Sequence, residues 1–179
     1  FQVDRYDSSG RELEWAYNLN NGMYHPYETV ESGTMIVRDR AFAWQGKYNV
    51  GLQSRFKGDY HTVSAAIQVP VIIDSVTPRL LADKAAWKGD TYEIPAVDIV
   101  SGRALAYAFA RPGSAAPESP WVQGGTIQLS RDDAEGYAGE DGKVAVFVKD
   151  EAGNTAIALI APFHGQSGGS GCTCATHRT

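Results

Sequence analysis

Cysteine is nearly absent from this chain. Its two copies, Cys172 and Cys174, stand close to the C-terminus. The rest of the sequence therefore carries no disulfide framework, and cysteine usage leaves the compartment open. Long apolar runs are lacking too, since none approaches the roughly 18 residues that a membrane span needs. There is no excess of positive charge: 16 Lys and Arg stand against 21 Asp and Glu, for a net charge of −5. A chain without a basic cluster has no electrostatic footprint for a phosphate backbone, which argues against nucleic acid as a partner. A signal peptide is missing, and the sequence opens at Phe1 rather than Met, as expected of a processed product or an excised piece. No stretch shows helical periodicity flanked by caps.

What is present is the grammar of strands and turns. The chain has 19 glycines and nine tyrosines among 179 residues, a balance that favours short strands and many turns. That length suits two domains of roughly 75 to 105 residues each better than one. Ile67-Gln-Val-Pro-Val-Ile-Ile73 is the strongest strand signal, because branched Cβ atoms fit a pleated surface. Pro78 follows shortly and holds Val76-Thr77 extended. This segment reads as the last strand of one domain leading into the first strand of the next. Leu13, Trp15, Tyr17 and Leu19 alternate with other residues, a period of 2 that predicts a half-buried strand closed by Asn20-Asn-Gly22. Thr34 to Val37 and Ala41 to Trp44 read as short strands, Trp44 to Tyr48 as the start of a loop, and Gly58-Asp-Tyr60 as the opening of a long strand run.

The second half repeats the pattern. Thr91 to Val97, Ala104 to Ala110 and Ile127 to Leu129 read as strands, and Asp132 to Asp141 as a polar loop. Pro112 to Pro120 can continue no strand. Lys143 to Lys149 and Thr155 to Ile160, joined by Asp150-Glu-Ala-Gly-Asn154, predict a hairpin. Val144, Val146 and Val148 form one face, which Ile157 and Leu159 are expected to meet. The predicted fold is all-β: two tandem β-sandwiches over 1–75 and 76–163, then a flexible Gly/Ser-rich tail over 164–179.

Trp44-Gln-Gly46, Gly58-Asp-Tyr60, Val69-Pro-Val-Ile-Ile-Asp74 and Pro78 together resemble the fibronectin type III-like domains that follow the catalytic domain of large secreted subtilisin-like serine proteases, of the cell-envelope proteinase type. Val146 to Asn154 is similar to the closing hairpin of bacterial immunoglobulin-like repeats. The resemblance covers about residues 40 to 160. Gln45 departs from it, standing where an acid is usual. The first 40 residues are also too few for the front half of a complete sandwich, so the first domain is expected to be incomplete at its N-terminal end. The resemblance implies a non-catalytic C-terminal accessory region at the cell surface or outside the cell. Such a region would act as spacer, stabiliser and substrate contact, with the upstream catalytic domain of the same polypeptide as its partner. Protein substrates or cell-surface glycans would be further partners. The alternative is a surface adhesin or carbohydrate-binding module, in which Trp87, Trp121 and Tyr137 stack on sugar rings.

Residues with chemistry to offer are few. Gly165-Gln-Ser-Gly-Gly169 matches the Gly-x-Ser-x-Gly pattern, but Ser167 sits in the Gly/Ser tail without the strained strand-to-helix turn that the motif requires. This segment is accordingly expected to be no enzyme. His25, beside a proline in a loop, and His61 read as solvated or packed. Cys172, Cys174 and His177 would make a weak site for a soft metal. Asp74, Asp98 and Asp150 are the calcium candidates, since carboxylate oxygens suit that ion. Their other reading is turn capping, and no cofactor is otherwise implied.

Overall fold

The computed structural model describes residues 2–4, 9–29, 34–117 and 120–163. The chain divides into two compact units, 1–76 and 77–179. Every strand pairing among the described residues is antiparallel, and strands predominate in both units.

In the first unit the strands are β1 (Gln2–Asp4), β2 (Leu13–Leu19), β3 (Glu28–Thr29), β4 (Thr34–Ile36), β5 (Gly46–Phe56) and β6 (Ile67–Ile73). The main sheet runs β3-β2-β5-β6, and β1 pairs β4. β5 corrects the loop expected at Trp44 to Tyr48. Its glycine, serine and asparagine content hides an 11-residue central strand, held by β2 on one side and β6 on the other. Gly51 explains one of those weak strand formers. A Cβ there would come within 2.5 Å of Asn18 Oδ1, which accepts the Gly51 amide. Two expected strands are 3-10 turns instead, Arg40–Ala43 and Tyr60–Thr62. In each, an aspartate ahead of the turn accepts a backbone N–H, Asp39 from Ala41 and Asp59 from His61. Such local capping competes with extended backbone.

The alternation of β2 holds, yet both faces are covered. Trp15, Tyr17 and Leu19 pack on a core of Met35, Val37, Val50 and Leu52. Glu14, Ala16 and Asn18 on the other face are buried. Glu14 is sealed there by an ion pair with Arg55, whose guanidinium lies over the rings of Tyr27 and Tyr60 at 3.8 and 4.0 Å. The Gly58 amide and then Arg55 hold the Glu14 carboxyl below its ordinary range.

In the second unit the strands are β7 (Arg79–Leu80), β8 (Ala86–Lys88), β9 (Thr91–Val97), β10 (Ala106–Ala110), β11 (Val122–Gln123), β12 (Thr126–Ser130), β13 (Val144–Lys149) and β14 (Thr155–Ile160). One sheet runs β11-β10-β13-β14; the other runs β12-β9-β7, with β8 also on β9. Ile94 and Ala96 from β9, Ile127 and Leu129 from β12, and Tyr107, Val144, Val146, Val148 and Ile160 from the first sheet form one shared core. A helix, α1 (Arg131–Tyr137), replaces part of the polar loop expected at Asp132 to Asp141. Ser130 starts it by accepting the Asp133 amide at 3.1 Å, and Asp132 and Asp133 suit the positive end of a first turn.

The hairpin forms as expected, with one correction. Phe147 lies opposite Ile157 and Ala145 opposite Leu159, so Ile157 and Leu159 share the face away from Val144, Val146 and Val148. Both remain more than half exposed. The turn sets this parity, because Asp150 N–H to Asn154 C=O closes it and puts Lys149 against Thr155.

Candidate functional site

Two of the three candidate acids come together within the second unit. Asp98 follows the last residue of β9, and its Oδ1 accepts the Val100 and Ser101 amides, both at 2.7 Å. Backbone bonds in both directions between Asp98 and Gly102 close that turn, and Gly102 takes the left-handed conformation at φ +62°. Asp150 opens the turn between β13 and β14. Its Oδ1 accepts the Asn154 amide and its Oδ2 the Asn154 side-chain amide, each at 2.9 Å. The two turns are stitched together where Ser101 Oγ accepts the Glu151 amide at 3.1 Å. Asp98 and Asp150 thereby bring carboxylate oxygens within 4.8 Å of each other.

Turn capping accounts for part of this arrangement. Asp98 Oδ2 is buried and has no hydrogen-bond partner among the described residues, although a buried carboxylate oxygen left unsatisfied is costly. Asp150 is only 5% exposed and uses two of its roughly four acceptor positions on Asn154. Asp74 belongs to the first unit, where its Oδ1 accepts the Val76 amide at 3.0 Å just after β6. Ser101 and Asn154 were not candidates on sequence. The signals that could have found them are the Asp-x-x-Ser-Gly spacing and the end of the Asp150-to-Asn154 turn.

The histidines among the described residues, His25 and His61, are packed or solvated. His25 stacks flat on Tyr17, centroids 4.1 Å apart, and its Nε2 lies 3.3 Å from Asp39 Oδ2. Tyr17 donates its hydroxyl to the same oxygen at 3.1 Å. Burial, then that acceptor and its charge, push the Tyr17 phenol up to about 12. Asp39 is held below the usual carboxylate range, first by the Ala41 amide and then by Tyr17 and His25. This constellation ties β2 to the turn after β4. His61 is exposed on its 3-10 turn.

Trp87, Trp121 and Tyr137, the aromatics of the sugar-stacking alternative, differ from one another. Trp87 donates to the Pro162 carbonyl at 2.6 Å and has the Arg131 guanidinium 4.6 Å above its ring. Trp121 donates to the Pro117 carbonyl at 3.0 Å and is capped by Lys149 at 4.3 Å. Tyr137 is 38% exposed and borders a cleft of about 290 Å³ that it shares with Tyr107, Phe109, Gln128 and Asp133. Ser167, Cys172, Cys174, His177 and the rest of 164–179 lie outside the described residues. No helix among the described residues is long and apolar enough to cross a membrane. No family model, curated protein or solved structure matches the chain.

Proposed function

We propose that this chain is a non-catalytic accessory region of a secreted or cell-surface subtilisin-like serine protease. In this reading its two units are tandem β-sandwiches, fibronectin III-like then immunoglobulin-like. They space the catalytic domain of the same polypeptide from the surface, stabilise it and offer a contact for protein substrates. The observation that carries the reading is the pairing of the motif segments as neighbouring strands. Gly46, after Trp44-Gln45, lies opposite Ile73, and Tyr48 opposite Val71, all along β5 and β6. Gln45, which departs from the motif, spends its amide on Ser75 Oγ at 3.1 Å just beyond β6.

The purified chain is expected to leave casein intact, and the coding sequence upstream of Phe1 to encode an Asp, His and Ser catalytic set. Casein cleavage that disappears in Ser167→Ala, or an upstream sequence holding only further β-repeats, would overturn the reading.

A second reading, a glycan-binding module, is favoured by the cleft at Tyr137. Exposed aromatic surface beside the amide of Gln128 and the carboxylate of Asp133 offers a sugar both stacking and hydrogen bonds. A glycan array probed with the chain and with Tyr137→Ala separates the two readings. Binding that is lost in the variant supports the module.

A further inference from the structure

We propose that Asp98 and Asp150 bind one divalent cation of the calcium class, which locks the turn after β9 to the turn between β13 and β14. This inference stands apart from the protease reading and concerns the second unit alone.

Its starting point is the mismatch between donors and acceptors at the two turns. Each carboxylate has an oxygen that caps its own turn. Asp98 Oδ2, however, is buried with no donor among the described residues, beside a second carboxylate that is itself 5% exposed. Bringing two carboxylates within 4.8 Å, one of them buried and the other half-buried with one oxygen shut off from water, is unfavourable unless a positive charge compensates them. Among the described residues no Lys or Arg is paired with either acid, the ion pairs of this unit being Lys88 with Glu93 and Lys143 with Asp141. A cation satisfies both demands at once, serving as partner for the orphaned oxygen and as counter-charge for the pair.

The chemistry of the donors selects the ion. Carboxylate oxygens are hard ligands, which disfavours soft metals. Calcium takes oxygen ligands at about 2.3–2.6 Å in irregular arrangements. Two oxygens on opposite sides of one calcium therefore lie about 4.6–5.2 Å apart, and closer when they sit on adjacent positions. Magnesium demands near-ideal octahedral geometry at about 2.0–2.1 Å and gives up its water reluctantly. Two turns already fixed by their own backbone bonds and by Ser101 Oγ to Glu151 suit the more adaptable ion. Water would complete its shell.

The test uses the full chain, stripped with EGTA and titrated with CaCl2 by calorimetry, with thermal unfolding followed in parallel. Calcium is expected to bind and to raise the unfolding midpoint of the second unit by about 4 °C or more at saturation. MgCl2 at the same concentration is expected to do much less. Asp98→Asn keeps the Oδ1 that accepts the Val100 and Ser101 amides, so it should fold. It should bind calcium at least about tenfold more weakly, and its midpoint without calcium should equal or exceed that of the parent. Asp83→Asn, at an exposed acid of the same unit, should behave as the parent. Amide exchange on the unmodified chain provides a readout independent of any variant. Calcium should increase protection at Val100, Ser101, Glu151 and Asn154. Absence of calcium binding up to about 10 mM, a range that covers the weakest extracellular sites, would overturn the proposal. So would full retention of binding in Asp98→Asn, or protection appearing elsewhere.

Discussion

Tyr17 shows how one side chain couples the fold to pH. Its hydroxyl is held by Asp39 and by the Arg38 carbonyl at 3.2 Å, and its phenol is pushed up to about 12 from an ordinary value near 10. A raised value means that the fold favours the protonated phenol. The resulting stabilisation is complete below about pH 10 and is lost as pH rises towards about 12. Tyr17→Phe should therefore show a shallower fall in the first unit's unfolding midpoint between those values than the parent does. Equal falls in both proteins would mean that this hydroxyl contributes nothing. At the same scale, capping explains why Asp59, Asp98 and Asp150 stand where they do. Capping leaves Asp98 Oδ2 unexplained, and that remainder is what the cation addresses.

At the scale of elements, the β13–β14 hairpin fixes which apolar residues matter. Leu129, on β12, is fully buried, and Leu129→Ala should cost about 2–5 kcal/mol in the second unit. Leu159, on the outer face of β14, is 54% exposed, and Leu159→Ala should change stability by about 0.5 kcal/mol. Chemical denaturation of the two variants checks this, and comparable losses would mean that the hairpin register is wrong. The hairpin itself was legible, because β-branched runs flanked a turn rich in Asp, Gly and Asn. Its register was not, because parity depends on a closing bond between Asp150 and Asn154 that composition does not reveal. β5 was hidden for a related reason. Gly51 and Asn49 look like loop residues until β2 is laid beside them and Asn18 and Asn20 accept their amides. α1 went unseen since seven residues give too little periodicity to read, though Ser130-x-x-Asp133 is a start signal. The two acids of the candidate site were visible as turn residues. Their proximity was not, because Asp98 and Asp150 are distant in sequence and meet only when β10 pairs with β13.

At the scale of the molecule, each unit holds its own apolar cluster and the chain divides at Val76 and Thr77. Both units are built from antiparallel strands, with the motif segments paired in the first and a hairpin closing the second. The proposed function gives these modules a mechanical and recognitional role beside a catalytic domain, a role that architecture alone does not assign. The most direct measurement is to capture the native gene product with an antibody raised against the second unit and to treat it with a fluorophosphonate probe for activated serines. Mass spectrometry of its peptides then locates the label. The expected result is a species larger than 19.3 kDa that carries the label on a serine outside residues 1–179. A captured product without any label, or one labelled at Ser167, would contradict the assignment.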